Sequence, residues 1–459
     1  MPDYLRHSYE HINATSDSPF GEDPLHRITF SNLLTSLVAN FSNGFVMAVN
    51  GAWGTGKTVF MHQWVQALLN QGYRATIFNA WDNDYFGEPT LAILSQFRNF
   101  FDAERPISDK GIALWKTLQN VPQCVIKGFI NKNVSEIIGE SAVDEINNIY
   151  QDNLEGNLNY REGEIAKYIN QRTAFIEYKT ALIDFAATIA SEGKPLIFVI
   201  DELDRCTPSY AVEILEKIKH LFNIPNIIFC LSIDKEQLKK TIQGHYGSYN
   251  FNAEEYLRRF FDVEFELPPI RYEEFSELMV NHFGLNQLIQ SSENLREFVD
   301  VSTMMAQKRH LTLRQLEKFF AHSKLVFSFY NAKDSEWLIG IMLIIHKFDH
   351  DLFQSIVDKV LNLQDYAISL KPLFNLEEYS KGINKLGCLL YHIQVYLNDE
   401  TRINVNDDFR FDWTLDFTDS QLDTISWCYK AESRQSLRTI SLNKIISKIC
   451  FVEQFVSRP

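Results

Sequence analysis

The sequence predicts an α/β fold in which helices cover both faces of a parallel sheet, with a helical insertion and a mainly helical C-terminal region. Short apolar runs recur at 45–49, 74–78, 196–200 and 227–231, with segments of helical spacing between them. Buried parallel strands have such runs, and each parallel neighbour needs a crossover connection. A glycine-rich turn follows the first run and an Asp-Glu pair follows the third.

The composition is globular and strongly acidic. The chain has 459 residues, of which 45% are hydrophobic, and 44 Lys and Arg against 59 Asp and Glu give a net charge of −15. Its length suits two or three domains. The charge excludes a surface that binds nucleic acid or an anionic membrane over its whole area, because the long-range field repels phosphate.

Cysteine spacing and hydropathy predict a cytoplasmic protein. The six cysteines form no CxxC pair, which suits a reducing compartment and disfavours a zinc ribbon or a disulfide framework. The polar N-terminus lacks the apolar core of a signal peptide. No stretch reaches the roughly 18 apolar residues of a membrane-spanning helix, so no transmembrane segment is predicted. The closest, 337–345, suits a buried helix.

The strand runs are separated by segments with helical periodicity. Apolar residues recur at helical spacing over 27–41, 57–70 and 209–222. Alternation of strands with such helices is typical of a parallel sheet with both faces covered.

The helical segments also divide the chain into regions. A flexible lead-in is predicted at 1–22 and the sheet domain at 23–268, with a helical insertion at about 87–194. After Pro268-Pro269 the pattern is helical, which predicts a lid at 269–330 and a mainly helical domain at 331–459.

One segment of the C-terminal region departs from the helical pattern. Polar and apolar residues alternate over 401–418, with Phe409, Phe411, Trp413 and Phe417 among the apolar ones. This alternation favours a strand or a hairpin.

Residues 51–58 fit the pattern G-x-x-x-x-G-K-[ST] of a phosphate-binding loop. Glycines let the backbone turn close to phosphate, successive N–H groups form an anion-binding nest, and the following helix adds its dipole. Lys57 is predicted to reach the β- and γ-phosphates and the Thr58 hydroxyl to ligate Mg²⁺; the alternative is a glycine turn with a surface lysine. The predicted nucleotide-binding residues here are Gly51, Ala52, Trp53, Gly54, Thr55, Gly56, Lys57, Thr58 and Val59.

An acidic pair ends the third predicted strand. The apolar run 196–200 places Asp201 at the carboxyl end of a buried strand, where it would hold Mg²⁺. Glu202 is predicted to orient and deprotonate the attacking water. The alternative for Glu202 is a solvated carboxylate at a strand end. Lys57, Asp201 and Glu202 are thus the predicted catalytic residues, and Thr58 and Asp201 the predicted metal ligands.

Together these segments resemble the KAP family of P-loop NTPases. The resemblance covers about residues 20–330 and rests on GAWGTGKT at 51–58, FNAW at 78–81 and DELDRC at 201–206. It implies an ATPase core of the additional-glutamate class, related to AAA+ and STAND proteins, and a link to defence against phage in bacterial members. Many relatives carry transmembrane helices between the glycine-rich motif and the acidic motif. In this chain the helical segments between these two motifs are interrupted by polar residues.

Several residues near these motifs are candidates with two interpretations. Asp204 and Arg205 would make a nucleotide-dependent contact or a local ion pair. Ser232 is a candidate sensor at the end of the fourth strand. Asp234, with Gln237 three residues later, favours a helix cap.

Other candidates involve arginines and tryptophans. Arg258 and Arg259 would act as an arginine finger in trans or form a solvated helix face. Arg314 lies where AAA+-like folds carry a second sensor, and is included in the predicted nucleotide site. Trp53 and Trp81 are expected to pack beneath the phosphate-binding loop, with base stacking as the alternative.

The sequence therefore predicts Mg²⁺-dependent hydrolysis of ATP, coupled to lid closure, self-association or a partner protein. One rival is a STAND-like signalling scaffold that holds ATP as a switch with little turnover. A second is a DNA-handling ATPase, for which the only feature is an excess of four positive charges over residues 430–459, where six Lys and Arg face two Glu.

Overall fold

The computed structural model of the chain describes residues 17–100, 108–126, 157–329 and 336–456. Within these spans the positions that are not described are 22, 24, 42–43, 191–192, 290, 375, 377–380, 399, 401–402, 404, 407, 414–415 and 436–441. Most of the predicted lead-in and the middle of the predicted insertion lie outside the described residues. Within the described part of the lead-in, Phe20 is buried and its ring lies 6.2 Å from that of Phe60.

A five-stranded parallel sheet forms the first half of the molecule. The order across the sheet is β2-β3-β4-β1-β5, and every neighbouring pair is parallel. The strands are β1 (Phe45–Asn50), β2 (Arg74–Asn79), β3 (Leu196–Asp201), β4 (Ile227–Ile233) and β5 (Val263–Glu266). The four apolar runs are thus confirmed as strands of one parallel sheet, and each strand extends one or two residues beyond its run.

The sheet is buried on both faces because side chains alternate along each strand. Along β3, Leu196, Phe198 and Ile200 pack into one core, while Ile197 and Val199 pack into the other. The first core holds several stacked or tilted phenylalanine rings, and the second surrounds a helix that follows β1. This two-sided burial explains why the strands are continuous apolar runs.

Helices make up most of the remaining described residues. In chain order they are α1 (Ile28–Asn40), α2 (Lys57–Asn70), α3 (Ala80–Asp84), α4 (Pro89–Gln96), α5 (Asp109–Leu118), α6 (Gln123–Ile126), α7 (Asn157–Ile189), α8 (Pro208–Lys217), α9 (Lys235–His245), α10 (Ala253–Leu257), α11 (Tyr272–Phe283), α12 (Leu285–Leu288), α13 (Ser292–Lys308), α14 (Leu313–Ser328), α15 (Glu336–Phe348), α16 (His350–Val357), α17 (Leu363–Leu370), α18 (Lys381–Leu397), α19 (Asp419–Gln435) and α20 (Leu442–Val456). The helix predicted over 209–222 ends as α8 at Lys217 and continues as a π-helical turn to Phe222.

The helices after the sheet share one hydrophobic core. It includes Phe275 of α11, Leu316 of α14, Ile341 of α15, Leu386 of α18 and Ile445 of α20. Helix α15 is buried from Glu336 to His346, as the apolar run at 337–345 predicts. The helices predicted as a lid therefore pack directly against the helices that follow them.

The expected strand or hairpin at 401–418 is wrong for the described residues of that segment, which form no strand. Its aromatic side chains instead pack on α19: the ring of Phe411 lies 4.0 Å from that of Trp413, and the ring of Phe409 stacks on Tyr429. The Phe411 N–H donates to the Ser426 hydroxyl at 3.0 Å. The alternating aromatic side chains therefore pack against the surface of a helix and not against a neighbouring strand.

Close packing between α18 and α19 leads to a first prediction. A Cβ atom at Gly387 would lie 2.6 Å from the Ile425 carbonyl oxygen and 2.8 Å from the Cys428 Cβ. Gly387→Ala should therefore lower the free energy of unfolding by about 1–3 kcal/mol, because neither helix backbone can yield without repacking. Urea unfolding followed by circular dichroism measures this change.

The matched control is another helical glycine, Gly244 in α9. A Cβ there would meet only Pro208 Cγ at 3.8 Å, an ordinary contact. Gly244→Ala should raise the free energy of unfolding by about 0.5 kcal/mol, since alanine favours helix more than glycine does. Equal effects of the two substitutions would contradict the tight crossing at Gly387.

Candidate functional site

The order of the strands brings four chain segments to one edge of the sheet. Strand β4 lies between β1 and β3, so that Ser232 pairs in register with Val49 on one side and with Asp201 on the other. On the far side of β3, Asp201 pairs with Asn79 of β2. The carboxyl ends of these strands therefore meet where the glycine-rich loop begins, as is general for sites in open α/β sheets.

The loop between β1 and α2 has the backbone of a phosphate-binding nest. Gly54 and Gly56 have φ values of +78° and +84°, which side chains with a Cβ rarely adopt. The Gly51 N–H donates to the Ile233 carbonyl at 3.1 Å and fixes the start of the loop on β4. Helix α2 begins at Lys57, so its N-terminus points into the same turn.

A cavity of about 100 Å³ lies in front of this loop. Its lining residues come from the loop, from the end of β3 and from the lid: Trp53, Gly54, Gly56, Lys57, Thr58, Val59, Asp201, Glu202, Asp204, Arg205, Arg314 and Glu317. Three predicted residues, Gly51, Ala52 and Thr55, do not line the cavity. The other predicted site residues are brought together there.

Lys57 is buried and surrounded by carboxylates. Its Nζ donates to the carbonyl oxygens of Gly51, at 2.5 Å, and Ala52, at 3.2 Å. Burial lowers the pKa of the ammonium, and the negative charges of Asp204 and Asp234 oppose this shift. The lysine thus provides a desolvated positive charge at the phosphate-binding loop.

The residues at the end of β3 suit a divalent cation. Asp201 is buried, and its Oδ1 accepts the backbone N–H of Glu202 at 2.9 Å. The Asp201 carboxylate and the Thr58 hydroxyl line the same cavity. Both are hard oxygen donors, the type that Mg²⁺ takes together with substrate phosphates.

Glu202 is held by two donors. Its Oε1 lies 2.7 Å from an Arg205 guanidinium nitrogen, and its Oε2 accepts from the Asn79 side-chain amide at 3.2 Å. Its φ of +61° is an uncommon value for a residue other than glycine. Burial raises the pKa of the Glu202 carboxyl, and Arg205 partly offsets this shift. Each carboxylate oxygen keeps a further lone pair, so Glu202 can accept a hydrogen bond from water while these contacts hold it in place.

Asn79 illustrates a site residue to which the sequence alone assigns no role. It belongs to the segment FNAW, but only the pairing of β2 with β3 shows that it faces Glu202. The available signal is a polar residue directly after an apolar strand, because such residues meet at the carboxyl edge of a parallel sheet.

The expectation that the two tryptophans pack beneath the loop is wrong. Trp53 and Trp81 are 46% and 50% exposed. The Trp53 indole N–H donates to the Asp204 carboxylate, and the Arg205 guanidinium lies over the Trp81 ring at 5.7 Å from its centroid. A tryptophan in this loop can therefore reach the acidic segment through its one polar atom, which packing alone would leave unused.

Of the other candidates near the strand ends, Asp234 caps a helix and Cys206 packs in the core, while the sensor role of Ser232 stays a prediction. The Asp234 carboxylate accepts the Gln237 N–H at 3.2 Å, which confirms the helix cap, and it also accepts the Trp53 backbone N–H at 3.0 Å. Ser232 is fully buried and does not line the cavity. Cys206 is buried and burial raises the pKa of its thiol, so it packs rather than reacts.

The lid reaches the cavity through the start of α14. The Arg314 N–H approaches the Gly54 carbonyl at 3.4 Å, and a Cβ at Gly54 would lie 2.8 Å from the Thr312 hydroxyl. The Arg314 side chain lines the cavity. Arg258 and Arg259 do not line it; Arg258 is exposed and lies near Glu254 and Glu255, so a role in trans stays a prediction.

Arg27 braces the loop from outside the cavity. This buried side chain donates to the carbonyl oxygens of Thr55, at 2.6 Å, and Gly56, at 2.9 Å. From the sequence, Arg27 is only the start of a helix. A basic residue before a phosphate-binding motif is too common a feature to reveal this contact, which spans 28 and 29 residues.

Arg27→Met should weaken nucleotide binding about tenfold and lower the free energy of unfolding by about 1–3 kcal/mol, because two loop carbonyls lose their donors. Calorimetric titration with an ATP analogue and thermal unfolding measure the two effects. Arg271→Met removes an exposed arginine paired with Glu274 and is the control. Unchanged affinity in Arg27→Met would show that the brace does not shape the loop.

A family model described as the KAP family P-loop domain matches residues 27–325. The chain belongs to the KAP family. The match begins at the loop-bracing Arg27 and ends in α14, so it contains every cavity-lining residue.

Among curated proteins, this KAP-family chain is 23% identical over 275 residues to the phage T7 exclusion protein of Escherichia coli (strain K12). The matched region covers 55% of this chain and 34% of that protein, so the chain spans about a third of that relative.

Solved structures with low similarity include the Aeropyrum pernix ORC2 protein, at 13% identity and a TM-score of 0.35, with 94% of this chain and 95% of that chain covered. DnaA from Aquifex aeolicus, bound to AMPPCP, is 12% identical with a TM-score of 0.31, and 95% of this chain and 89% of that chain are covered.

The KAP-family segment between β2 and β3 contains α7, a helix of 33 residues. Among the residues that the structure describes, neither α7 nor any other helix combines the length and apolar character needed to cross a bilayer.

Proposed function

We propose that this KAP-family chain binds ATP with Mg²⁺ in the cavity at the carboxyl edge of its sheet and hydrolyses the γ-phosphate bond. One observation carries the proposal: a single cavity is lined by Lys57 and Thr58 of the loop, by Asp201 at the end of β3 and Glu202 directly after it, and by Arg314 of the lid. These are the charges and donors that phosphoryl transfer to water requires.

Each residue has a distinct part in the reaction. The loop amides and Lys57 bind the β- and γ-phosphates and neutralise charge on them. Thr58 and Asp201 would hold Mg²⁺, which neutralises phosphate charge when bound. Glu202, held in place by Arg205 and Asn79, orients the water and takes its proton. Arg314 contacts the phosphates from the lid side.

The lid couples this chemistry to a conformational change. Thr312 and Arg314 lie against Gly54, so phosphate binding in the loop alters the surface on which α14 rests. The work done with ATP is therefore movement of the helical half, assembly with another copy, or engagement of a partner protein.

A role in defence against phage is proposed from similarity to the phage T7 exclusion protein. Plating efficiency of phage T7 on cells that express the wild-type chain or the Lys57→Ala variant tests this role. Equal plating on both strains and on cells without the chain would count against it.

A nucleotide-gated switch with little turnover is the second candidate, and a specific observation favours it. Both carboxylate oxygens of Glu202 are held, by Arg205 and Asn79, and the positive charge of Arg205 opposes the rise in pKa that burial causes, which weakens this carboxylate as a base. In this case ATP binding alone would change the lid, and hydrolysis would only reset it.

Phosphate release by the purified chain distinguishes the two candidates. Steady turnover with Mg²⁺ and ATP supports the ATPase, whereas tight binding without turnover supports the switch. Native mass measurement with and without a slowly hydrolysed ATP analogue reports self-association in the same samples. Stimulation by added DNA would instead favour the DNA-handling ATPase.

A further inference from the structure

Asp204 lines the cavity, but the proposed function gives its carboxylate no part in the reaction. It lies in the short 3₁₀ turn Leu203–Arg205 after β3, is 6% exposed and lines the cavity with Lys57 and Glu202. One carboxylate oxygen accepts the Trp53 indole N–H. The other oxygen, Oδ1, is buried and has no hydrogen-bond partner among the described residues.

A buried carboxylate oxygen without a donor is costly, because desolvation is not offset by a hydrogen bond. Two neighbouring side-chain donors are directed elsewhere: the Lys57 ammonium donates to Gly51 and Ala52, and Arg205 pairs with Glu202. Asp204 Oδ1 is therefore a buried acceptor without a donor, in a residue that lines the phosphate-binding cavity. Such an acceptor suits a ligand that brings its own hydrogen.

We propose that Asp204 Oδ1 accepts a hydrogen bond from the water that attacks the γ-phosphate, and that the Trp53 indole fixes the orientation of this carboxylate. The inference rests on the proposed hydrolysis and adds a second catalytic carboxylate beside Glu202. The water oxygen forms a bond to the γ-phosphorus while the bond from phosphorus to the β–γ bridging oxygen breaks. One water hydrogen passes to Glu202 as a proton, and the other stays on the product phosphate, held by Asp204.

The placement of Trp53 ties this acceptor to the phosphate-binding loop. Trp53 is the third residue of the motif at 51–58, and its backbone N–H is held by Asp234 at 3.0 Å. The same residue thus contributes to the loop through its backbone and to the water acceptor through its indole. Burial also raises the pKa of Asp204, against the opposing effects of the Trp53 indole, the Lys57 ammonium and the backbone N–H groups of Asp204 and Asp234.

Asp204→Asn tests the proposal with little change in shape. The asparagine oxygen can still accept the Trp53 indole N–H, while its amide nitrogen places a donor where Oδ1 accepts. Single-turnover hydrolysis should fall about 10²-fold, as for loss of a group that handles the reacting water, with ATP affinity retained. Trp53→Phe keeps an aromatic side chain, smaller than the indole, and removes the N–H donor; it should give a smaller fall of about tenfold.

Asp82→Asn is the matched control, because it removes a carboxylate that is exposed, close to Glu202 and outside the cavity lining. Its rate should stay within about twofold of the wild type, since exposed charges act weakly. The pH profile adds an independent readout: the acid limb of log kcat should become less steep in Asp204→Asn, because one ionisation is lost.

The possible outcomes separate this inference from the proposed function. A wild-type chain that turns over, together with Asp204→Asn at a similar rate and with the same pH profile, would overturn the role of Asp204 alone. A wild-type chain that binds ATP and never hydrolyses it would overturn both. Loss of rate with loss of ATP affinity would show that Asp204 shapes the loop instead of binding the water.

Discussion

Lys57→Ala is expected to abolish measurable ATP turnover and to lower kcat/KM by about 10³-fold, because the loop loses the buried ammonium that lines the cavity. The affinity for ATP should fall with it, since the ammonium contacts both β- and γ-phosphates in the proposed complex. Isothermal titration with ATP and a phosphate-release assay measure the two quantities.

Two further variants separate charge, geometry and stability. Lys57→Arg keeps the charge but replaces a point donor by a planar fork, and should recover only part of the binding. Lys217→Ala removes another largely buried lysine, which donates to the Val125 and Ile126 carbonyls far from the cavity. It should lower the free energy of unfolding by about 1–3 kcal/mol without changing ATP affinity. ATP binding of wild-type strength in Lys57→Ala would refute the proposed site.

Glu202→Gln is expected to reduce hydrolysis by about 10²- to 10⁴-fold while ATP binding is retained. The amide can still accept a hydrogen bond from Asn79 or Arg205, so the fold of the site is preserved, but it cannot take a proton. Single-turnover hydrolysis with saturating ATP, together with equilibrium binding, measures this separation. Glu236→Gln, at an exposed position beside Lys239, is the control.

The same residue predicts a pH dependence. Burial raises the pKa of Glu202 above that of an ordinary glutamate, with Arg205 opposing the shift. A general base must be ionised, so turnover should fall as the pH drops through this raised pKa, above the range in which exposed glutamates titrate. Glu202→Gln should lose this acid limb. Unchanged turnover in the variant would mean that Glu202 is not the base.

The features that the sequence predicts correctly are those encoded by neighbouring residues. Strand β1, the glycine-rich turn and helix α2 follow one another within 26 residues, so their apolar runs, glycines and periodicity suffice. The Asp201–Glu202 pair is likewise identified by the apolar run that precedes it. The parallel sheet then follows from the alternation of strands and helices.

The contacts that determine how the site works join distant parts of the chain. Glu202 and Asn79 are 123 residues apart, and Trp53 and Asp204 are 151 apart, so their pairing depends on the order of the strands. A local sequence pattern also gives a wrong prediction where its apolar side chains can be buried by a different kind of structure. The aromatic alternation at 401–418 is typical of a strand, yet in the structure these rings pack on the surface of α19.

The contact between Gly54 and Thr312 has a mechanical consequence. Helix α14 belongs to the same close-packed interior as α15, α18 and α20, so it cannot shift alone without opening that interior. In the proposed function, a small displacement of the loop on nucleotide binding would therefore pass through Thr312 to these packed helices together. We then expect the difference between nucleotide states to extend to the surface of the helical half, beyond the cavity itself.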